Sequence, residues 1–161
     1  MIVSVLTFIY FGLELIAIGA GAMALFRLLT GSLPNKWAVL FLKCSLVASV
    51  TALLVPFQHF TLTQEAAMLS VYGTGAAVLA WRKFHFMGVW KSIFAWCITL
   101  VLYLNIVVAF TQAFKRISQF KPMNPTQFDM TFLVTQSVVL AIFVVLGIVA
   151  VKRFKHKPTH P

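Results

Sequence analysis

An all-α bundle of membrane-spanning helices is the fold class this chain predicts, and three observations predict it. Five apolar runs, each near the length that crosses a bilayer, take up most of the 161 residues. Hydrophobic residues make up 61% of the chain and charged ones 10%, against roughly 45–50% and about 25% in soluble domains. The mean hydropathy is +0.95. A spanning helix needs about 20 apolar residues, so five of them with short loops form one integral membrane domain over 1–161. No stretch between the runs is long enough for a soluble catalytic domain. Any chemistry is expected inside the bundle or at its rims.

The first helix is expected over about 2–26, from Ile2 to Phe26, stopped by Arg27 and the turn residues Gly31, Ser32 and Pro34. Met1-Ile2-Val3-Ser4-Val5 carries no basic n-region, and the run is longer than a signal-peptide core, so it reads as a retained span. The second, about 37–57, opens at Trp37, and Pro56 loosens its last turn because proline has no N–H to donate. Thr61 with Gln64 three residues on fits a capping box for the third, about 64–81, which Arg82-Lys83 ends. The fourth, about 89–114, stops at Lys115-Arg116. A polar loop with Pro122 and Pro125 leads to the fifth, about 128–151, and residues 152–161 read as a basic cytoplasmic tail.

The net charge is +10, from 13 Lys+Arg against 3 Asp+Glu. No basic stripe with interleaved aromatics lies outside the apolar runs, which argues against nucleic acid as a partner. The cations read as membrane anchors. With five spans, Arg27, Lys36, Arg82, Lys83, Lys91, Lys152, Arg153, Lys155 and Lys157 share one side, and Lys115, Arg116 and Lys121 the other. Cytoplasmic loops carry the excess of Lys and Arg. The N-terminus is therefore expected outside and the C-terminus in the cytoplasm, with Trp37, Trp81 and Trp90 as an aromatic belt on the cytoplasmic interface.

Small residues let helix backbones approach in lipid. The third helix has Ala66, Ser70, Gly73, Ala77 and Ala80 on one stripe, and the first has Ala17, Gly21 and Ala24; both stripes are expected at close interfaces. An odd number of spans argues against a simple two-half inverted-repeat transporter.

An ionisable residue at membrane depth is a functional candidate. Glu14 is the sharpest, roughly 18 Å from the Arg27 end of its helix at ~1.5 Å per residue. Lys43, about two turns into the second helix, is its candidate partner, and the pair suggests an ion-coupled step or an intramembrane binding site. The plainer alternative is a neutral Glu14 hydrogen-bonded to a neighbouring helix, with Lys43 snorkelling to the interface. A second cluster is expected at the outer rim. There His59, Glu65 and Asp129, beside Gln58, Gln64 and Gln112, either cap helix ends or handle a proton or divalent metal. Their spacing matches no ligand motif, so no metal is assigned.

None of His59, His85, His156 and His160 lies mid-helix, which disfavours bis-His haem, and no cofactor is expected. Cys44 and Cys97 lack a CxxC and read as buried structural thiols. Asn105 and Gln112, seven apart on the fourth helix, with Thr99 and Tyr103 nearby, and Thr131, Thr135 and Gln136 on the fifth, read as interhelical hydrogen-bonding groups. The alternative is that they grip a quinone, lipid or polar solute.

Leu69-Ser70-Val71-Tyr72-Gly73 running to Ala80-Trp81-Arg82-Lys83-Phe84, together with Tyr103-Leu104-Asn105 and Gln112-Ala113-Phe114, resembles a group of small multi-pass membrane proteins of bacteria. The resemblance covers the second to fifth helices and brings no activity with it. It implies a bacterial inner-membrane setting and a shared structural or binding role for Tyr72, Asn105 and Gln112.

The function expected first is non-enzymatic: an accessory or structural membrane protein that binds a membrane partner or lipid through its helix faces. The alternative is a small oligomeric transporter or channel using Glu14 at mid-membrane. A quinone- or haem-binding redox component comes last.

Overall fold

The computed structural model describes residues 2–32, 36–54, 62–120 and 125–156, the side chains of 3, 7, 62, 63 and 115–129 excepted. Among the described residues there are five helices and no strand: α1 (Ile2–Leu29), α2 (Lys36–Leu54), α3 (Leu62–Arg82), α4 (Trp90–Phe120) and α5 (Pro125–Lys155). Four of them, α1, α2, α4 and α5, are long and apolar enough to cross a membrane. The composition of α3, with Gln64, Glu65 and a stripe of Gly, Ala and Ser, keeps it out of that set although it has 21 residues.

Each helix packs on the next in sequence, and α4 and α5 also close on α1. Opposite ends alternate. The C-terminal part of α1 (Ala24, Leu28), the start of α2 (Ala38) and the start of α4 (Phe94, Ile98) meet around one small space. At that end Phe86 packs edge-on against Phe94 at 5.0 Å and Phe154 at 5.5 Å, joining the α3–α4 turn, α4 and α5. Arg27, Lys36, Arg82, Lys83, Lys91, Lys152, Arg153 and Lys155 therefore share one end of the bundle.

Both small-residue stripes do what the sequence predicts. Ala66, Ser70, Ala77 and Ala80 of α3 are buried, as are Ala17 and Ala24 of α1. A Cβ on Gly21 would come within 2.7 Å of Phe41 and Leu102, so only glycine lets α1 approach α2 and α4 this closely.

The boundaries differ from expectation for local reasons. α1 runs to Leu29 and is closed by a Schellman motif: Ser32 N–H donates to Arg27 O and Gly31 N–H to Leu28 O, with Gly31 at φ 71°. α4 continues six residues past Phe114, because nothing in Lys115–Phe120 breaks a helix. α5 starts at Pro125, where the missing N–H is no loss in a first turn. It also extends to Lys155, so residues 152–155 are its last turn and not a tail; Phe154 there is 1% exposed. Three basic residues in that turn complement the helix dipole. Pro56 and Thr61, expected to shape the α2–α3 connection, lie outside the described residues.

Candidate functional site

Three pairs of polar residues at i, i+4 spacing put hydroxyl, phenol and carboxyl groups on the inward faces of neighbouring helices: Tyr10 and Glu14 on α1, Ser45 and Ser49 on α2, Ser70 and Thr74 on α3. Residues four apart share a helix face. With Asn105 of α4 all seven are buried, and all but Thr74, which lines a groove between α2 and α3, gather in a polar centre inside an otherwise apolar bundle. Asn105 Nδ2 donates to Ser45 Oγ at 2.8 Å, tying α4 to α2. The Tyr10 hydroxyl and the Glu14 carboxyl lie one turn apart on the same face of α1.

Tyr10, Glu14, Ser49, Ser70 and Asn105 surround a cavity of about 10 Å3, enough for about one water. Glu14 is 4% exposed, and its Oε1 has no hydrogen-bond partner. This arrangement brings a carboxyl, a phenol, two hydroxyls and an amide from four helices to one point. It is suited to holding a proton or an ordered water in place and to fixing the register of the four helices. It has no room for an organic ligand.

Glu14 and Asn105, which nothing in the sequence pairs, line the same small cavity, and Lys43 does not join them. It lies on the side of α2 that borders α3, in a separate groove with Arg82 and His85. The expected Glu14–Lys43 approach is not made, because Lys43 and the Ser45–Ser49 pair occupy different faces of α2. Tyr72 is 74% exposed and points away from the centre. Gln112 is half-buried on α4, two turns beyond Asn105. Of the outer-rim cluster, Glu65 is exposed in the first turn of α3, while His59 and the side chain of Asp129 lie outside the described residues.

Cys44 and Cys97 are free thiols, half-buried against the principal core. Gln136 on α5 has both amide atoms buried without a hydrogen-bond partner.

Tyr10, Ser45 and Ser49 belong to the centre and were not expected there. Their signal was the repeated i, i+4 polar pair, which a search for charged residues passes over. No family model, curated protein or solved structure matches the chain.

Proposed function

We propose that this chain is a five-span integral membrane protein of the bacterial inner membrane, N-terminus outside and C-terminus in the cytoplasm. In this reading it serves as a non-enzymatic accessory subunit that binds a membrane partner through an outward helix face. The observation that carries the reading is α5. In its most apolar 18 residues, within Met130–Lys155, only 6% of positions are buried, leaving an apolar face that includes Val134, Val138 and Val145 uncovered by the rest of the chain.

The fifth span is supported by the length of α3, whose 21 residues reach about 30 Å, and by the inward orientation of Ala66, Ser70, Gly73, Thr74, Ala77 and Ala80. The orientation is supported by the gathering of basic side chains at one end of the bundle. The sealed, water-sized interior favours recognition on the outside over passage through the middle.

The test is a photocrosslinking amino acid placed at Val138 and Val145 of α5 and, as a comparison, at Leu69 of α3. A discrete protein adduct from the α5 positions alone is expected. Lipid adducts at all three positions overturn the accessory reading. A reporter on the C-terminus should be active in the cytoplasm; activity only in the periplasm reverses the topology.

One observation favours a second reading, a small oligomeric transporter: the buried Glu14 carries an oxygen with no partner, the state expected of a group waiting for a proton or ion. In reconstituted vesicles, Glu14→Gln should then abolish a proton-dependent flux while the protein stays folded. If Glu14→Gln and Glu14→Ala are both silent, this reading fails.

A further inference from the structure

α2 and α3 lie close at one end and part at the other. Beside the polar centre, Ser49 and Ala52 meet Ala66, Ala67 and Ser70 around the same small cavity. Toward the basic end, larger residues take over, and a groove of about 900 Å3, open outward, separates the two helices. That volume lies at the upper end of the roughly 300–1,000 Å3 typical of small-molecule sites. Leu42, Leu46, Val78 and Trp81 make its walls apolar, while Lys43, Arg82 and His85 give it cationic and polar groups.

No acidic residue of the chain is available to those cations. Glu14 is enclosed in the polar centre, Glu65 sits in the first turn of α3, and Asp129 is the fifth residue of α5, both at the opposite end. The anion that balances this groove must come from outside the protein. Lys43 sharpens the point, because it lies seven residues inside the start of α2, roughly 10 Å along the axis. A cation at that depth is costly unless paired or snorkelling.

A second observation comes from Thr74. Thr51, Thr99, Thr111 and Thr135 each donate to the carbonyl four residues back. Thr74 does not. It lines the groove, is 2% exposed, and its Oγ1 has no hydrogen-bond partner. A buried hydroxyl left open beside a groove is a place for an external acceptor.

We infer that the α2–α3 groove binds one anionic phospholipid of the leaflet at the basic end. Arg82 and Lys43 hold its phosphate by charge-assisted hydrogen bonds. One acyl chain lies against Leu42, Leu46 and Val78, and the Thr74 hydroxyl donates to an acyl-ester carbonyl. Free phosphate would leave the apolar walls unused, and a zwitterionic lipid would leave the cationic rim without net compensation. The inference rests on the reading of these helices as membrane spans, and it is independent of what binds α5.

The experiment titrates the full-length, delipidated protein in mild detergent with phosphatidylglycerol, phosphatidylcholine or inorganic phosphate, and counts retained lipid by native mass spectrometry. One phosphatidylglycerol per chain is expected, held about tenfold more tightly than phosphatidylcholine, and not displaced by inorganic phosphate. Lys43→Gln with Arg82→Gln should weaken retention by about tenfold. Lys83→Gln with Lys152→Gln, which removes the same charge outside the groove, should not. Leu46→Trp keeps every charge, fills the groove and should displace the lipid.

Equal retention of the two lipids, displacement by inorganic phosphate, an equal loss in the Lys83/Lys152 variant, or an unaffected Leu46→Trp variant each overturns the site. Failure of the membrane reading is distinguishable: the chain would then be released from membranes by alkaline carbonate, whatever lipid it retains.

Discussion

α4 and α5 are matched in length at 31 residues each, and their apolar stretches are nearly matched in mean hydropathy, 2.4 and 2.6. Yet in the most apolar 18 residues of each, 56% of positions are buried in α4 and 6% in α5. Lipid tails are as apolar as leucine, so apolarity says that a helix tolerates oil and nothing about whether the oil is lipid or protein. What separates the two is where polar and small side chains fall. α4 carries Ala95, Thr99 and Asn105 into the interior, together with Ile98, Val101 and Leu102, and touches α1, α3 and α5. α5 meets the bundle along a seam that includes Phe143, Gly147, Ala150 and Phe154, and presents Val138, Ile142, Val145 and Ile148 outward.

The largest effect should come from truncating the same residue type on the two helices. Phe94 of α4 is fully buried between Trp81, Phe86 and Phe154. Phe94→Ala is expected to destabilise the bundle by about 3–5 kcal/mol, the range for large aromatic truncations in cores. Phe143 of α5, partly buried with its ring 5.8 Å from Tyr103, should cost well under half of that on truncation. Equilibrium unfolding in detergent micelles reads both. Equal losses would mean that α5 is as integral to the bundle as α4.

A second pair sharpens where the two helices are anchored. A Cβ on Gly21 would strike Phe41 and Leu102 in the α1–α2–α4 core, and one on Gly147 would strike the Trp96 ring at 2.6 Å. Either glycine replaced by leucine overpacks its interface, at about 1–3 kcal/mol. The outcomes should differ in kind. Gly21→Leu should lower the midpoint of the whole transition. Gly147→Leu should loosen α5 first, seen as faster hydrogen exchange in α5 with the α1–α4 amides still protected. Uniform exchange in both variants would dissolve the distinction between a four-helix body and a peripheral fifth helix.

Five helices, their order and both small-residue stripes were legible because apolar run length and i, i+4 spacing are local properties. The helix ends were less so. Lys152–Lys155 reads as a charged tail until Phe154 is seen to fill the aromatic cluster, a long-range contact that no local pattern encodes. Phe86 is a similar case. It and His85 take positive φ of 57° and 43° in the α3–α4 turn, a conformation unfavourable for bulky residues, held because the Phe86 ring packs on Trp81, Phe94 and Phe154. The polar centre was half legible. Glu14 and Asn105 stand out by chemistry, whereas Ser45 and Ser49 look like ordinary small residues until the 2.8 Å bond to Asn105 assigns one of them a partner. Of the two readings of Lys43, the pairing with Glu14 is not made, because depth along a helix is readable from sequence while the face depends on which neighbour packs there.

The smallest effect concerns the outer face of α5, and it tests what covers that face. Val145 is 59% exposed. In detergent, Val145→Ala should change the stability of the isolated chain by less than about 0.5 kcal/mol, as for surface positions generally. In the native membrane, a partner seated on that face would feel the lost methyl groups, since packing and not apolarity holds helices together in lipid. The variant should then release the crosslinked partner more readily than wild type while the chain itself stays as stable. If instead Val145→Ala destabilises the isolated chain as strongly as Phe143→Ala, the face is already packed by α5's own bundle or by a second copy, and α5 is no longer the exposed counterpart of α4.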